Sequence, residues 1–141
     1  MPVLDELGTY LQANGFGTLG QTIFLGTIPA DAPGAGVQDA VLGLFEIPGL
    51  PSENTHDLLG PSVEQPHVQL RWRGAPYGYA AARTQAGNAY RLLGSVVNQV
   101  LSGAFYQQII PMQSPYGVPP DEWNRPFLVF EVWVKRDAQV P

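Results

Sequence analysis

At 141 residues, with 12 acidic and 7 basic side chains and a net charge of −5, the chain lacks the basic footprint that free-standing nucleic-acid binding requires. It has no cysteine, which excludes disulfides and thiolate metal sites, and no segment approaches the roughly 20 apolar residues of a membrane span. Its charged fraction of 13% is about half the ~25% of an ordinary globular chain, so much of its surface is expected to be covered in an assembly.

The first residues, Met1-Pro-Val-Leu-Asp-Glu, carry neither a basic region nor an apolar run of signal length, and synthesis in the cytosol is expected. Residues 3–14 read as a short helix, with Leu4, Leu7 and Leu11 at helical spacing and Asp5 and Glu6 where the helix dipole favours acids. Residues 22–28 read as a strand, 29–39 as a loop and 40–47 as a second strand. The polar stretch 52–65 reads as an exposed loop. His67–Arg73 is the cleanest strand: Val68, Leu70 and Trp72 face one way, and His67, Gln69, Arg71 and Arg73 the other. Tyr79 to Leu101 reads as one long helix with an apolar stripe through Ala82, Ala86, Ala89, Leu93, Val97 and Val100, ended by Ser102-Gly103.

Strands are then expected over 105–112 and 126–136, joined by a loop, 113–125, that is long and aromatic for a connection. The last strand places Leu128, Phe130, Val132 and Val134 on one face and Phe127, Val129, Glu131, Trp133 and Lys135 on the other, because a strand alternates its side chains. Both faces are largely apolar. A helix covers one; a second copy of the chain is expected to cover the other. The expected fold is α+β: an antiparallel or mixed sheet of about five strands, one long helix packed on one face and a short N-terminal helix. The first three strands are expected to form a meander, and the whole of 1–141 one domain.

Few residues suggest chemistry. His56 and His67 form no tight metal-ligand pair; a site built from them with Asp57 and Glu64 is the enzymatic alternative, and the sequence shows no neighbouring groups placed to hydrogen-bond and orient such ligands. Ser52 and Ser114 have no histidine near them in sequence. Gly15-Phe-Gly-Thr-Leu-Gly20 matches a dinucleotide-binding pattern, but follows a helix and precedes a strand, the reverse of the required context. Trp72 and Tyr77 are candidates for a small ligand pocket. Arg71, Arg73, Arg83 and Arg91 are a candidate basic patch, against which the overall acidity speaks. No catalytic residue, cofactor or metal is assigned. The loop acids Asp121 and Glu122, beside Trp123 and Arg125, fit an interface or a loop-stapling role, with a self-contained Asp121–Arg125 ion pair as the simplest alternative.

The order of elements resembles the tail terminators and related minor capsid, neck and tail-completion proteins of long-tailed bacteriophages. The residues that carry the likeness are Leu4, Leu7 and Leu11; the strand Val68–Arg73; the Ala-rich helix from Tyr79; Tyr106–Ile110 leading into Gln113-Ser-Pro115; and the turn Asp121-Glu-Trp-Asn-Arg125 before an apolar last strand. Gly117-Val-Pro-Pro-Asp121 departs from the pattern by an inserted proline pair. The resemblance implies a structural virion protein: a hexameric ring on the head-proximal end of the tail tube that stops tube polymerisation and docks the head–tail connector or stopper. DNA would pass through its lumen without specific binding. A stopper or the tube protein itself is the nearest alternative. A ring needs two distinct contact faces per subunit. The residues expected at subunit or partner contacts are Tyr116, Asp121, Glu122, Trp123, Arg125, Phe127, Val129 and Trp133, with Arg71 and Arg73.

Overall fold

The computed structural model describes residues 3–29, 32, 33, 36, 38–53 and 63–137. The elements are α1 (Val3–Ala13), β1 (Ile23–Leu25), β2 (Val41–Glu53), β3 (Val63–Arg73), α2 (Tyr79–Gly94), β4 (Val97–Leu101), β5 (Ala104–Pro111), β6 (Tyr116–Val118) and β7 (Phe127–Asp137). They form one sheet in the order β1-β2-β3-β7-β5-β4, with β6 added to β7. The pair β1–β2 is parallel and all other pairs are antiparallel, so the first three strands are not a simple meander.

The α+β expectation is overturned. The fold is mostly sheet, a curled half-barrel of six to seven strands with two helices, 44% strand against 23% helix. The expected long helix stops at Gly94. Ser95 caps it, its N–H and its Oγ both donating to the Leu92 carbonyl (3.2 and 2.6 Å). The β-branched Val96, Val97 and Val100 that follow suit a pleated strand better than a helix. Ser102-Gly103 is not a helix stop but a two-residue hairpin turn: both residues have positive φ (49° and 84°), and Leu101 pairs with Ala104 across it. The 113–125 loop likewise contains a strand, β6, whose Tyr116, Gly117 and Val118 pair with Val129, Leu128 and Phe127. Of the expected loop 52–65, β2 takes the start and β3 the end; 54–62 lie outside the described residues.

The inner face of the sheet is set by alternation. Leu42 and Leu44 of β2, Val68, Leu70 and Trp72 of β3, and Leu128, Phe130, Val132 and Val134 of β7 are all buried in one cluster, each worth about 1.5–3 kcal/mol of transfer free energy for the larger side chains. Trp72 stacks on Phe130 with centroids 5.6 Å apart. Both helices fill the concave side: α1 with Leu7 and Leu11, and α2 with Ala82, Ala86, Ala89 and Leu93. Alanine on α2 lets its backbone approach the strands closely.

A polar cluster sits inside this core. Glu6, fully buried, accepts from the Tyr106 hydroxyl at 2.6 Å and from Arg136 Nη1 at 2.5 Å. Arg136 also pairs with Glu64 at 3.0 Å. Burial, then the Glu6 hydrogen bond and charge, push the Tyr106 hydroxyl far above the ordinary phenol value, so it stays a neutral donor. Glu6 is thus more than dipole decoration: it ties α1 to β5 and β7.

Candidate interaction surface

The outer face of the sheet is built in cross-strand rows. Val41, Arg73 and Phe127 form one, Gly43, Arg71 and Val129 the next, then Phe45, Gln69 and Glu131, then Ile47, His67 and Trp133. Gly43 has no side chain for a reason: a Cβ there would collide with Ile28 and the Phe45 ring. Its absence lets the chain after β1 lie across the sheet.

Arginines hold that covering chain down. Arg73, buried, donates from Nε to the Asp39 carbonyl (2.9 Å), from Nη2 to the Gln38 carbonyl (3.1 Å) and from Nη1 to the Pro29 carbonyl. Arg125, 1% exposed, donates from Nε to Asp121 Oδ2 (2.7 Å) and from Nη1 to Asp39 Oδ1 (3.3 Å). Its guanidinium lies 4.8 Å from the centroid of the Trp123 ring, within cation–π range.

The 119–126 loop is stapled by Asp121. Its Oδ1 accepts from the backbone N–H groups of Trp123 (3.0 Å) and Arg125 (2.9 Å), the side-chain-to-backbone turn for which aspartate is suited. Asn124 takes the left-handed conformation (φ 59°) and donates from Nδ2 to the Tyr77 hydroxyl (3.1 Å). Burial raises the Asp121 carboxyl, but the Arg125 N–H and guanidinium and the Trp123 N–H outweigh it and hold the group below its ordinary value. A depressed carboxylate contributes stability above the unfolded value and loses it as pH falls through the folded one. The amide signals of Trp123 and Arg125 should therefore shift in a step centred below about pH 3.9, and Asp121→Asn should abolish the step. A midpoint at or above the ordinary value would exclude this staple.

Loop and strands together enclose a cleft of about 430 Å³. Arg71 and Arg73 enter it from β3, Phe127 from β7, and Asp121, Glu122, Trp123 and Arg125 from the loop. The structure thus brings together most of the residues expected at contacts. Within the cleft Arg73, Arg125 and Asp121 are engaged by their own chain, while the Arg71 guanidinium lies 5.5 Å from the Phe127 centroid and Glu122 is exposed. Tyr116, exposed, projects from β6 opposite the buried Val129. Trp133 lies farther along the same face, edge-on to His67 at 6.3 Å, with Lys135 Nζ 5.9 Å from its ring. Arg71 Nε, Trp133 Nε1 and Gln113 Oε1 are buried without a hydrogen-bond partner among the described residues. The Arg71 and Trp133 side chains share this outer face.

The other candidates do not converge. Glu64 is turned inward onto Arg136 and His67 outward onto Trp133, while His56 and Asp57 lie outside the described residues. Among the described residues no three His, Cys, Asp or Glu cluster as metal ligands. Trp72 is core, whereas Tyr77 is 84% exposed on a turn, so they share no pocket. Arg83 and Arg91 sit exposed on α2, the helix that fills the concave side, apart from Arg71 and Arg73. Sequence reasoning missed Asp39 and the Asn124–Tyr77 bond, whose members are distant in sequence. The positive φ of Tyr77 (60°) and Asn124 has a partial signal in asparagine's tolerance of that conformation.

A protein-family model described as bacteriophage tail terminator protein matches residues 10–137, from the last turn of α1 to the end of β7. The chain belongs to the bacteriophage tail terminator family. It is therefore a structural protein of the phage tail, and the resemblance seen in the element order is that of its own family. No curated protein matches the chain. None of the described helices of this family member is long and apolar enough to cross a membrane.

Proposed function

We propose that residues 1–141 act as one tail-terminator domain that closes into a ring, the hexamer that the family resemblance implies, on the head-proximal end of the tail tube. There it halts tube polymerisation and presents a docking surface to the head–tail connector, with DNA passing through the lumen. Subunits meet through the outer sheet face. The observation that carries this reading is the gathering of half-buried Arg71, Trp123, Phe127 and Trp133 and exposed Tyr116 on that one face. Aromatic residues and arginine are the residue types enriched at contact hot spots.

In this reading Arg73, Arg125 and Val129 serve the contact from beneath, by holding its shape, while Arg71, Tyr116, Glu122, Trp123, Phe127 and Trp133 touch the neighbour. The wild-type protein is expected to run at the mass of a closed ring in native mass spectrometry and to show rings in electron micrographs. Trp133→Asp, at a half-buried outer-face position, should leave folded monomers that fail to complete tails. Normal rings from that variant would refute the outer-face contact.

A further inference from the structure

β4 ends the sheet, and among the described residues no strand pairs with its second edge. An exposed edge is a template for association, and soluble proteins usually blunt it with lysine, proline or an inward charge. Here, among the described residues, a bend at Asn98 (φ 48°) stands in for such devices: no residue between Arg91 and Asp121 is charged. The same stretch holds Val97 (55% exposed), Val100 (61%), Phe105 (37%), Met112 (50%) and Tyr116 (42%). Of the exposed large hydrophobics among the described residues, only Tyr77 and Tyr79 fall outside it. Val100 and Phe105 are cross-strand partners, so they form one apolar step at the sheet margin.

We infer that this β4 margin is the second contact surface, and that its occupant is another copy of the chain, whose outer-face cleft receives it. The inference rests on the proposed outer-face contact and names what fills it. Three features argue for the fit. In a chain of net charge −5, the uncharged margin is where a like-charged copy approaches with least repulsion. The cleft offers Ile28, Phe45 and Phe127 as walls for valine side chains. It is also lined by the half-buried Arg71, a side chain that only donates, whereas a free strand edge presents backbone carbonyls. The two surfaces are different parts of one protomer, so the contact is head-to-tail, the kind that closes rings.

Two experiments on the full chain test this. Val97→Lys with Val100→Lys alters only exposed positions and should leave the thermal melt unchanged. It should raise the concentration at which rings half-form by more than about tenfold, since tenfold is only ~1.4 kcal/mol and an unpaired ammonium at a contact costs more. The chain has no cysteine, so Val100→Cys and Glu122→Cys proteins can be mixed under oxidation. A mixed disulfide, absent from either protein alone, is expected. Self-linking of Val100→Cys would mean a two-fold contact and overturn the head-to-tail arrangement. Wild-type rings that tolerate the lysines and give no mixed disulfide would overturn this inference while sparing the ring. A wild-type protein that stays monomeric would overturn both.

Discussion

Replacing Arg136 by methionine is expected to lower the stability of the fold by about 3–5 kcal/mol, the usual consequence of stripping one partner from a buried ion pair. For a chain of this size that is on the order of 10 °C in Tm. The loss arises at Glu6, which has no exposed surface. Without the guanidinium, its carboxylate keeps the Tyr106 hydroxyl but loses the cation that offsets its desolvation. Methionine preserves much of the side chain's length and apolar stem, so the loss reports on charge rather than on a cavity. Adding Glu6→Gln to Arg136→Met should restore much of the stability, because a neutral amide can still accept from Tyr106. Thermal melts of the two variants decide the matter. A single variant within about 1 kcal/mol of wild type, or a double variant no better than the single, would rule out the buried charge as the cause.

The ion pair also marks where sequence reasoning ran out. Its two members are 130 residues apart, and only the topology that places β7 between β3 and β5 brings Arg136 over α1. Read locally, Glu6 is one of two acids in a first turn. The alternation of β3 and β7 was legible, because period-two patterning is a property of the strand itself; Val68, Leu70, Trp72, Leu128 and Phe130 all lie in the core. The end of α2 was not. Ala82 to Leu101 carries an unbroken helical stripe, yet Leu93 and Leu101 are buried from two different elements. The helical pattern and the β-branched cluster at 96–100 competed, and tertiary pairing with β5 favoured the strand. The shift in fold class follows largely from that one misreading, together with β6 hidden in a loop.

The contact residues divide in the same way. The grouping of Asp121, Trp123 and Arg125 was legible because its bonds span two to four residues. Arg71 and Arg73 were correctly set on one strand face, since both line the cleft. What escaped was the role of Arg73, whose partners Pro29, Gln38 and Asp39 precede it by a whole hairpin. A lone arginine on a polar face reads as surface, and here backbone carbonyls of another segment close over it.

Arg125→Ala is the variant expected to couple fold and assembly most strongly. Arg125 joins Asp121 of the loop to Asp39 of the covering segment while carrying the Trp123 ring. The two aspartates retain about a fifth to a quarter of their side-chain exposure, so water recovers part of what they lose. The cost is placed at about 2–3 kcal/mol, below the figure for a fully enclosed pair. Arg125→Lys should fall between alanine and wild type, because an ammonium keeps the charge but cannot reproduce the planar fork that reaches both carboxylates and stacks on indole. Two readouts beyond the melt separate this from general loosening. The titration step seen at Trp123 and Arg125 should move up toward the ordinary carboxylate value in the alanine variant, since two of the interactions that depress Asp121 come from the Arg125 side chain. Ring formation should fail at concentrations where the monomer remains folded, because the loop that carries Trp123 to the proposed contact has lost its support. An alanine variant that melts with wild type and titrates with an unmoved step would show that the loop holds itself through the Asp121 backbone turn alone.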